Sequence, residues 1–215
     1  FAKQLMDNWD KYADKDKKYI LNIISKNSGK AAAIVDELLA LASIRQQDVS
    51  IERVDMADVF FQVEQRTESL LQKSGCRLIM PDDWPIVWGY SPWIEEVWVN
   101  YLTNAIKYGG NHKDIEIGYT IIDDLTAKFW VKDFGPGLSE EDQSIVFKQY
   151  VRIKGSNQEG HGLGLAIAKR IINKLNGDVG VKSKVGEGCL FYFTLPLPIP
   201  EVDKTSLLEL TNTRY

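Results

Sequence analysis

Asp133-Phe134-Gly135-Pro136-Gly137 places a carboxylate ahead of glycines two and four residues on, directly after the alternating Thr126-Ala127-Lys128-Phe129-Trp130-Val131. That pattern predicts a strand end where the backbone turns sharply and approaches a ligand. Downstream, Gly160-His161-Gly162-Leu163-Gly164 leads into Leu165-Ala166-Ile167-Ala168-Lys169-Arg170-Ile171-Ile172. Alternate glycines at a helix start present bare amides with partial positive charge, which suits phosphate. Taken singly, each cluster is explained better by an ordinary turn or helix entry. Gly155-Ser156-Asn157-Gln158-Glu159-Gly160 has the spacing of a P-loop but is followed by His161 where Lys is required, and no GxGxxG occurs.

A third stretch raises the two clusters above ordinary turns. In Glu96-Val97-Trp98-Val99-Asn100-Tyr101-Leu102-Thr103-Asn104-Ala105-Ile106-Lys107-Tyr108, the residues Glu96, Asn100, Asn104 and Lys107 recur at i, i+4, i+8 and i+11. They line one face of a helix whose other positions are apolar. A solvated face explains Glu96 and Lys107 readily. It explains two Asn in a strong helix less well, because Asn is a poor helix former. Polar groups entering a core need partners, and a Mg-triphosphate supplies several.

These stretches resemble sensor histidine kinases. The E-x-x-x-N-x-x-x-N-A-x-K-Y segment is similar to the family's N box, D-x-G-x-G to its G1 box, and G-x-G-x-G-L-A-I to its G2 box. Gly186-Glu187-Gly188-Cys189-Leu190-Phe191 resembles the closing glycine motif. All four stand in the family's order, and the likeness runs from about Ile51 to Leu195. The resemblance implies ATP and Mg²⁺ as cofactors, with Asp133 accepting from the adenine amino group. It implies Asn100 as the Mg²⁺ ligand, Asn104 beside the phosphates, Lys107 and Arg152 meeting phosphate charge, and Tyr108 flanking the nucleotide. Gly135, Gly137, Gly160, Gly162, Leu163 and Gly164 would lend backbone to the pocket, and 138–160 would be a lid over the ATP. Glu96 and Asn100 are the candidate catalytic pair. Within the lid, Val146-Phe147-Lys148-Gln149-Tyr150-Val151-Arg152 follows the family's I-F-E-x-F-Y-R pattern only loosely.

The rest of the chain must position these groups. Its 215 residues, 44% of them hydrophobic, suit one ordinary domain plus an appendage. A net charge of −4 argues against a nucleic-acid partner, and two cysteines indicate no disulfide framework and a cytoplasmic setting. No apolar run reaches the roughly 18 residues a membrane span needs, so a membrane would be met only through a region outside this stretch.

Ile20, Ile24, Asn27, Ala31, Ile34, Leu38 and Leu41 form a heptad seam broken by one Asn, widened by Leu21, Val35, Leu39 and Ala42. Ala2, Leu5, Met6, Trp9 and Tyr12 form a shorter apolar face, with Asp14-Lys15-Asp16-Lys17 expected as the turn between the two. An antiparallel hairpin results, with arms 1–12 and 16–45, so roughly 18 residues of partner helix are expected upstream of Phe1. A second copy covering the exposed seam would make a four-helix homodimer. In histidine kinases this hairpin dimerises and carries the phosphoacceptor histidine. Neither His112 nor His161 falls on it, so the acceptor is expected upstream, with none in the chain.

Val49–Met56 reads as a strand and Ala57–Lys73 as a helix. Short strands are expected at Arg77–Met80 and Ile86–Tyr90, and Pro92 lies near the start of the N-box helix. Hairpins are expected over Asp114–Ile122 with Leu125–Val131 and over Val179–Lys184 with Cys189–Leu195, and a helix over Leu165–Leu175. Trp84, Trp88, Trp93 and Trp98 are read as packing residues rather than a base-stacking platform. The fold class is α+β: a two-layer sandwich, a mixed sheet with helices on one face, preceded by the helical hairpin. The expected division is 1–47 for dimerisation and phosphotransfer, 48–198 for ATP binding and catalysis, and 199–215 for a tail in which Leu207–Leu210 is either a short helix or part of a linker.

The expected function is transfer of the γ-phosphoryl of Mg-ATP to a histidine, for relay to an aspartate on a response-regulator receiver domain. One alternative is an ATP hydrolase of the gyrase or heat-shock chaperone type, in which Glu96 would activate water. Another is a non-catalytic ATP-binding dimer scaffold. The heptad hairpin weighs against the first, and the intact Asp133, Asn100 and paired glycines weigh against loss of nucleotide binding in the second.

Overall fold

The computed structural model describes residues 2–46, 48–110, 112–148, 151 and 162–199. It divides into two compact units, Phe1–Asp48 and Val49–Tyr215.

In the first unit, α1 (Ala2–Asp7) lies against α2 (Asp14–Gln46), with a 3-10 turn at Trp9–Lys11 between them. The chain reverses at 8–13 and not at the charged Asp14–Lys17. Asp14 and Asp16 instead open α2, where acidic side chains complement the positive end of the helix. Leu5 is buried, whereas Leu21, Val35 and Leu39 of α2 are exposed, and Ile20 and Ile24 of the seam are half-buried. The side chains of Ile34, Leu38, Leu41 and Ala42 lie outside the described residues. No helix among the described residues is long and apolar enough to cross a membrane.

The second unit is built on a five-stranded mixed sheet of order β2-β4-β5-β7-β6: β2 (Arg77–Ile79), β4 (Asp114–Asp123), β5 (Thr126–Lys132), β6 (Val179–Lys184) and β7 (Gly188–Pro196). Only β2 and β4 pair in parallel; the other pairs are antiparallel. The alternation of β5 decides its faces: Ala127, Phe129 and Val131 are buried, while Thr126, Lys128, Trp130 and Lys132 are half-buried on the other side. β1 (Glu52–Asp55) and β3 (Ile86–Gly89) form a separate antiparallel ribbon. That pairing joins strands more than thirty residues apart, beyond the reach of local patterning.

Three helices cover the buried face. α3 (Met56–Ser74) starts where the Asp55 carboxylate accepts from the Ala57 amide at 2.8 Å and stops at Gly75 in the left-handed region. α4 (Ser91–Tyr108), with Pro92 in its first turn, buries Trp93, Ile94, Val97, Trp98, Tyr101, Leu102 and Ala105. It packs between α3 and α6 (Gly164–Lys174). Trp98 is fully buried, and its ring meets Phe60, Phe129 and Phe193 edge-on at centroid distances of 5.3, 6.1 and 5.1 Å. Its indole N–H is directed at the Met56 sulfur, 3.2 Å away. Of the other clustered tryptophans, Trp93 is buried and Trp84 stacks on Phe60, but Trp88 is 38% exposed. Anchoring α4 through Trp98 fixes the opposite, polar side of the helix relative to the end of β5.

Candidate nucleotide site

Four segments of the second unit converge: the C-terminal half of α4, the loop after β5, the turn between β6 and β7, and the first turn of α6. Asp133, where β5 ends, is 4% exposed. Its Oδ1 accepts from the Gly135 amide at 2.9 Å and the Cys189 amide at 3.3 Å, and its own amide donates to the Cys189 carbonyl at 2.9 Å. Its Oδ2 has no hydrogen-bond partner among the described residues. Burial raises the Asp133 pKa, opposed by the Gly135 and Cys189 amides. A buried carboxylate with one oxygen held and the other free is an incomplete site. A ligand amino group would satisfy that oxygen.

The glycines seat the walls of the site against one another, a closer purpose than the approach to a ligand expected from their spacing. A Cβ on Gly135 would lie 2.2 Å from the Tyr108 carbonyl, and one on Gly137 would lie 2.1 Å from the Lys184 carbonyl. The Asp133 loop is thereby pressed between the end of α4 and the β6–β7 turn. The Gly186 amide donates to the Pro136 carbonyl at 2.7 Å and the Leu138 amide to Ser183 Oγ at 2.8 Å. The closing glycine motif, legible in the sequence as a family motif and as the link between two strands, therefore also acts as a splint for Asp133. Ser183 is a site-supporting residue that no sequence motif marks, and Gly188, marked by the closing motif, packs against the Asp133 backbone in a way the motif alone does not reveal.

Along α4, the Asn100 amide nitrogen donates to the Glu96 carbonyl at 2.8 Å and to Glu96 Oε1 at 3.3 Å. Its oxygen consequently faces the start of α6, where a Cβ on Gly164 would come within 2.1 Å of it. Asn104 is half-buried, Lys107 exposed and Tyr108 half-buried. Leu163 is fully buried, so its side chain is core, and its carbonyl accepts from the Ile167 amide at 2.9 Å. The first turn of α6 has no side-chain cap, which leaves its amides available to an anion. Gly162 just before it has φ +73°.

Arg152, Gly160 and His161 lie outside the described residues, as does about half of the expected lid. The part that is described contains α5 (Glu140–Ile145), capped by Ser139, and Phe147, whose ring is 6.2 Å from Phe191. The His112 ring packs against that of Phe134 in the Asp133 loop, tilted by 42° at a centroid distance of 4.4 Å. Among the described residues no group of three or more His, Cys, Asp or Glu could hold a metal ion. The donor set suits Mg²⁺ bound by one protein oxygen together with phosphates and water, since this ion keeps several waters and uses few protein ligands.

Residues 89–199, over half of the chain, match the family "Histidine kinase-, DNA gyrase B-, and HSP90-like ATPase". Among curated proteins, the chain is 28% identical to cyanobacterial phytochrome B of Nostoc sp., covering 91% of this chain and 26% of that protein. It is 36% identical to the adaptive-response sensory kinase SasA of Crocosphaera subtropica, covering 63% of this chain and 36% of that protein. The chain thus spans well under half the length of both relatives. Among solved structures, full-length ShkA in complex with AMPPNP superposes with a TM-score of 0.70 at 22% identity, covering 86% of this chain and 39% of that one. The Acinetobacter baumannii histidine kinase AdeS superposes with a TM-score of 0.64 at 22% identity, covering 93% and 92%. The chain belongs to the histidine kinase, DNA gyrase B and HSP90-like ATPase family, and its second unit is an ATP-binding catalytic domain of the sensor histidine kinase type.

Proposed function

We propose that this chain is the catalytic core of a sensor histidine kinase: it binds Mg-ATP and transfers the γ-phosphoryl to a histidine imidazole, for relay to an aspartate on a response regulator. The observation that carries this reading is the Asp133 carboxylate, buried, held through Oδ1 by two amides and with no partner for Oδ2 among the described residues. It offers the adenine amino group an acceptor in a water-poor setting, where the ring of a guanine would instead present a carbonyl oxygen.

Asn100 Oδ1 is the protein oxygen that would hold Mg²⁺, which neutralises phosphate charge during transfer. Asn104, Lys107 and the amides opening α6 would orient the phosphates, Arg152 would add positive charge, and Tyr108 would flank the nucleotide. Placement and electrostatics are the protein's main contribution to such a step. In this reading residues 1–47 supply the dimerising, phosphotransfer-type helices, 48–198 the catalytic domain and 199–215 a tail. The apolar side chains exposed on α2 support a second copy as the partner of the first unit.

Titration of the chain with Mg-ATP, beside an Asp133→Ala variant, tests the site. Loss of affinity in the variant supports it, and equal affinity removes the assignment. Phosphoryl transfer is tested with γ-labelled ATP and an added acceptor protein bearing a histidine on a helical hairpin. Acid-labile label on the acceptor is expected, with none on His112 or His161. Steady phosphate release without a phosphoprotein would instead favour hydrolysis by water.

A further inference from the structure

Arg66 of α3 stands outside every motif, yet its guanidinium is directed at the two consecutive acids of the N-box helix. Its Nη2 donates to Glu96 Oε2 at 2.8 Å, and its Nη1 lies 3.8 Å from Glu95 Oε2. Glu95 is held from its other side by the Ser91 hydroxyl at 3.3 Å. Glu96 then presents its second oxygen, Oε1, to the Asn100 amide nitrogen. The opposite flip of the Asn100 side chain would set its oxygen against two acceptors, the Glu96 carbonyl and Oε1, so the flip is decided by Glu96.

We infer that Arg66 is a positioning residue for metal binding: by clamping Glu96 it fixes the rotamer and flip of Asn100, so that Asn100 Oδ1 is presented to Mg²⁺. This rests on the reading of Asn100 as the Mg²⁺ ligand and adds to it a residue that touches neither metal nor nucleotide. The geometry also gives Glu96 a task other than activating water, because one of its oxygens is engaged by Arg66 and the other by Asn100. A plain tie between α3 and α4 is the competing explanation. The pair is partly exposed, with side-chain accessibilities of 44% and 39%, and such pairs add little to stability. Partners that orient a metal ligand typically change metal affinity by 10- to 100-fold. The Asn100 amide keeps a second hydrogen bond to the Glu96 carbonyl, so the lower end of that range applies.

The experiment measures binding, not turnover, on the whole chain. Affinity for ADP without metal is compared with the Mg²⁺ concentration giving half-maximal binding of AMPPNP, for wild type and for Arg66→Ala, Arg66→Lys, Glu96→Gln and Asn100→Ala. Arg66→Ala is expected to raise the Mg²⁺ midpoint roughly tenfold with metal-free ADP affinity unchanged. Arg66→Lys, which keeps the charge but not the fork, should recover part of the shift, and Glu96→Gln should show a shift of its own. An unchanged Mg²⁺ midpoint in Arg66→Ala overturns the inference, and so does equal weakening of metal-free and metal-loaded binding. If Arg66→Ala does not fold, the same criteria apply to Arg66→Lys and Glu96→Gln. A normal Mg²⁺ midpoint in Asn100→Ala sinks the metal reading itself. A shift in Asn100→Ala without one in the Arg66 variants sinks the role of Arg66 alone.

Discussion

The backbone amide of Cys189 and the carboxylate of Asp133 meet at 3.3 Å, across 56 residues of sequence. The amide of Asp133 returns the contact to the Cys189 carbonyl at 2.9 Å. This two-way link sets the carboxylate on the fold before any ligand arrives, and it sets the terms of the first prediction.

Burial raises the Asp133 pKa in the folded protein, so the charged form costs stability there. Its contribution is most favourable below the unfolded carboxylate pKa and is lost as pH rises through the folded value. Asp133→Asn keeps an oxygen for the Gly135 and Cys189 amides and discards the charge. Without ligand, the variant should melt no lower than wild type at pH 7, and its advantage should shrink as the buffer is taken toward pH 4. ATP affinity should fall by about 100-fold, or roughly 2.7 kcal/mol. Thermal melts across pH, with nucleotide titration beside them, read both effects. A variant clearly less stable at neutral pH would contradict the sign.

Gly164→Ala separates site from fold. The added Cβ would come within 2.1 Å of Asn100 Oδ1, the end of a side chain that can swing away, and the backbone there is ordinary helix. Ala favours a helix over Gly by about 1 kcal/mol. The melting temperature should therefore stay level or rise, while Mg²⁺-dependent nucleotide binding weakens by about tenfold or more. Retained Mg²⁺ dependence would show that the position of the Asn100 oxygen does not matter.

The two cysteines should differ in reactivity. Cys189 is buried, and burial, reinforced by the nearby Asp133 charge, pushes its thiol up to about 11 despite a hydrogen-bonding contact with Ser183. At pH 8 it is thiolate in about one molecule in a thousand. An aromatic disulfide reagent should label the half-exposed Cys76 in the native protein and reach Cys189 only on unfolding. Equal native rates would mean that the β6–β7 turn opens freely.

Much of this was readable from local patterns. The alternation of Thr126–Val131, the apolar face of Ala57–Lys73 and the ordered glycine motifs are each set by residues close in sequence, and the elements appear near the expected bounds. What was not readable depends on distant partners. Arg66 looks like any solvated basic residue until α3 is laid beside α4. The β1–β3 ribbon separates from the main sheet only through pairing. Helix α5, six mostly polar residues, has no apolar periodicity to announce it. Charged Asp14–Lys17 imitated a turn because acids favour helix starts as well as loops.

Gly188→Ala should damage fold and site together, in contrast to Gly164→Ala. Gly188 has φ +86°, and a Cβ there would lie 2.0 Å from the Asp133 carbonyl oxygen, a backbone atom that cannot swing aside. Backbone strain of this kind costs roughly 1–3 kcal/mol, or about 2–12 °C of melting temperature for a chain of this size. Relief would require the β6–β7 turn to retreat from the end of β5, taking with it the Cys189 amide that holds Asp133 Oδ1. Nucleotide affinity should therefore fall even in the fraction that remains folded, measured well below the melting transition. Gly186→Ala is the internal comparison: its φ is the same +86°, but a Cβ there meets nothing within 4 Å. That variant should bear the backbone strain and keep most of its affinity. If the two alanine variants bind nucleotide equally well, the contact between the turn and Asp133 does not position the carboxylate.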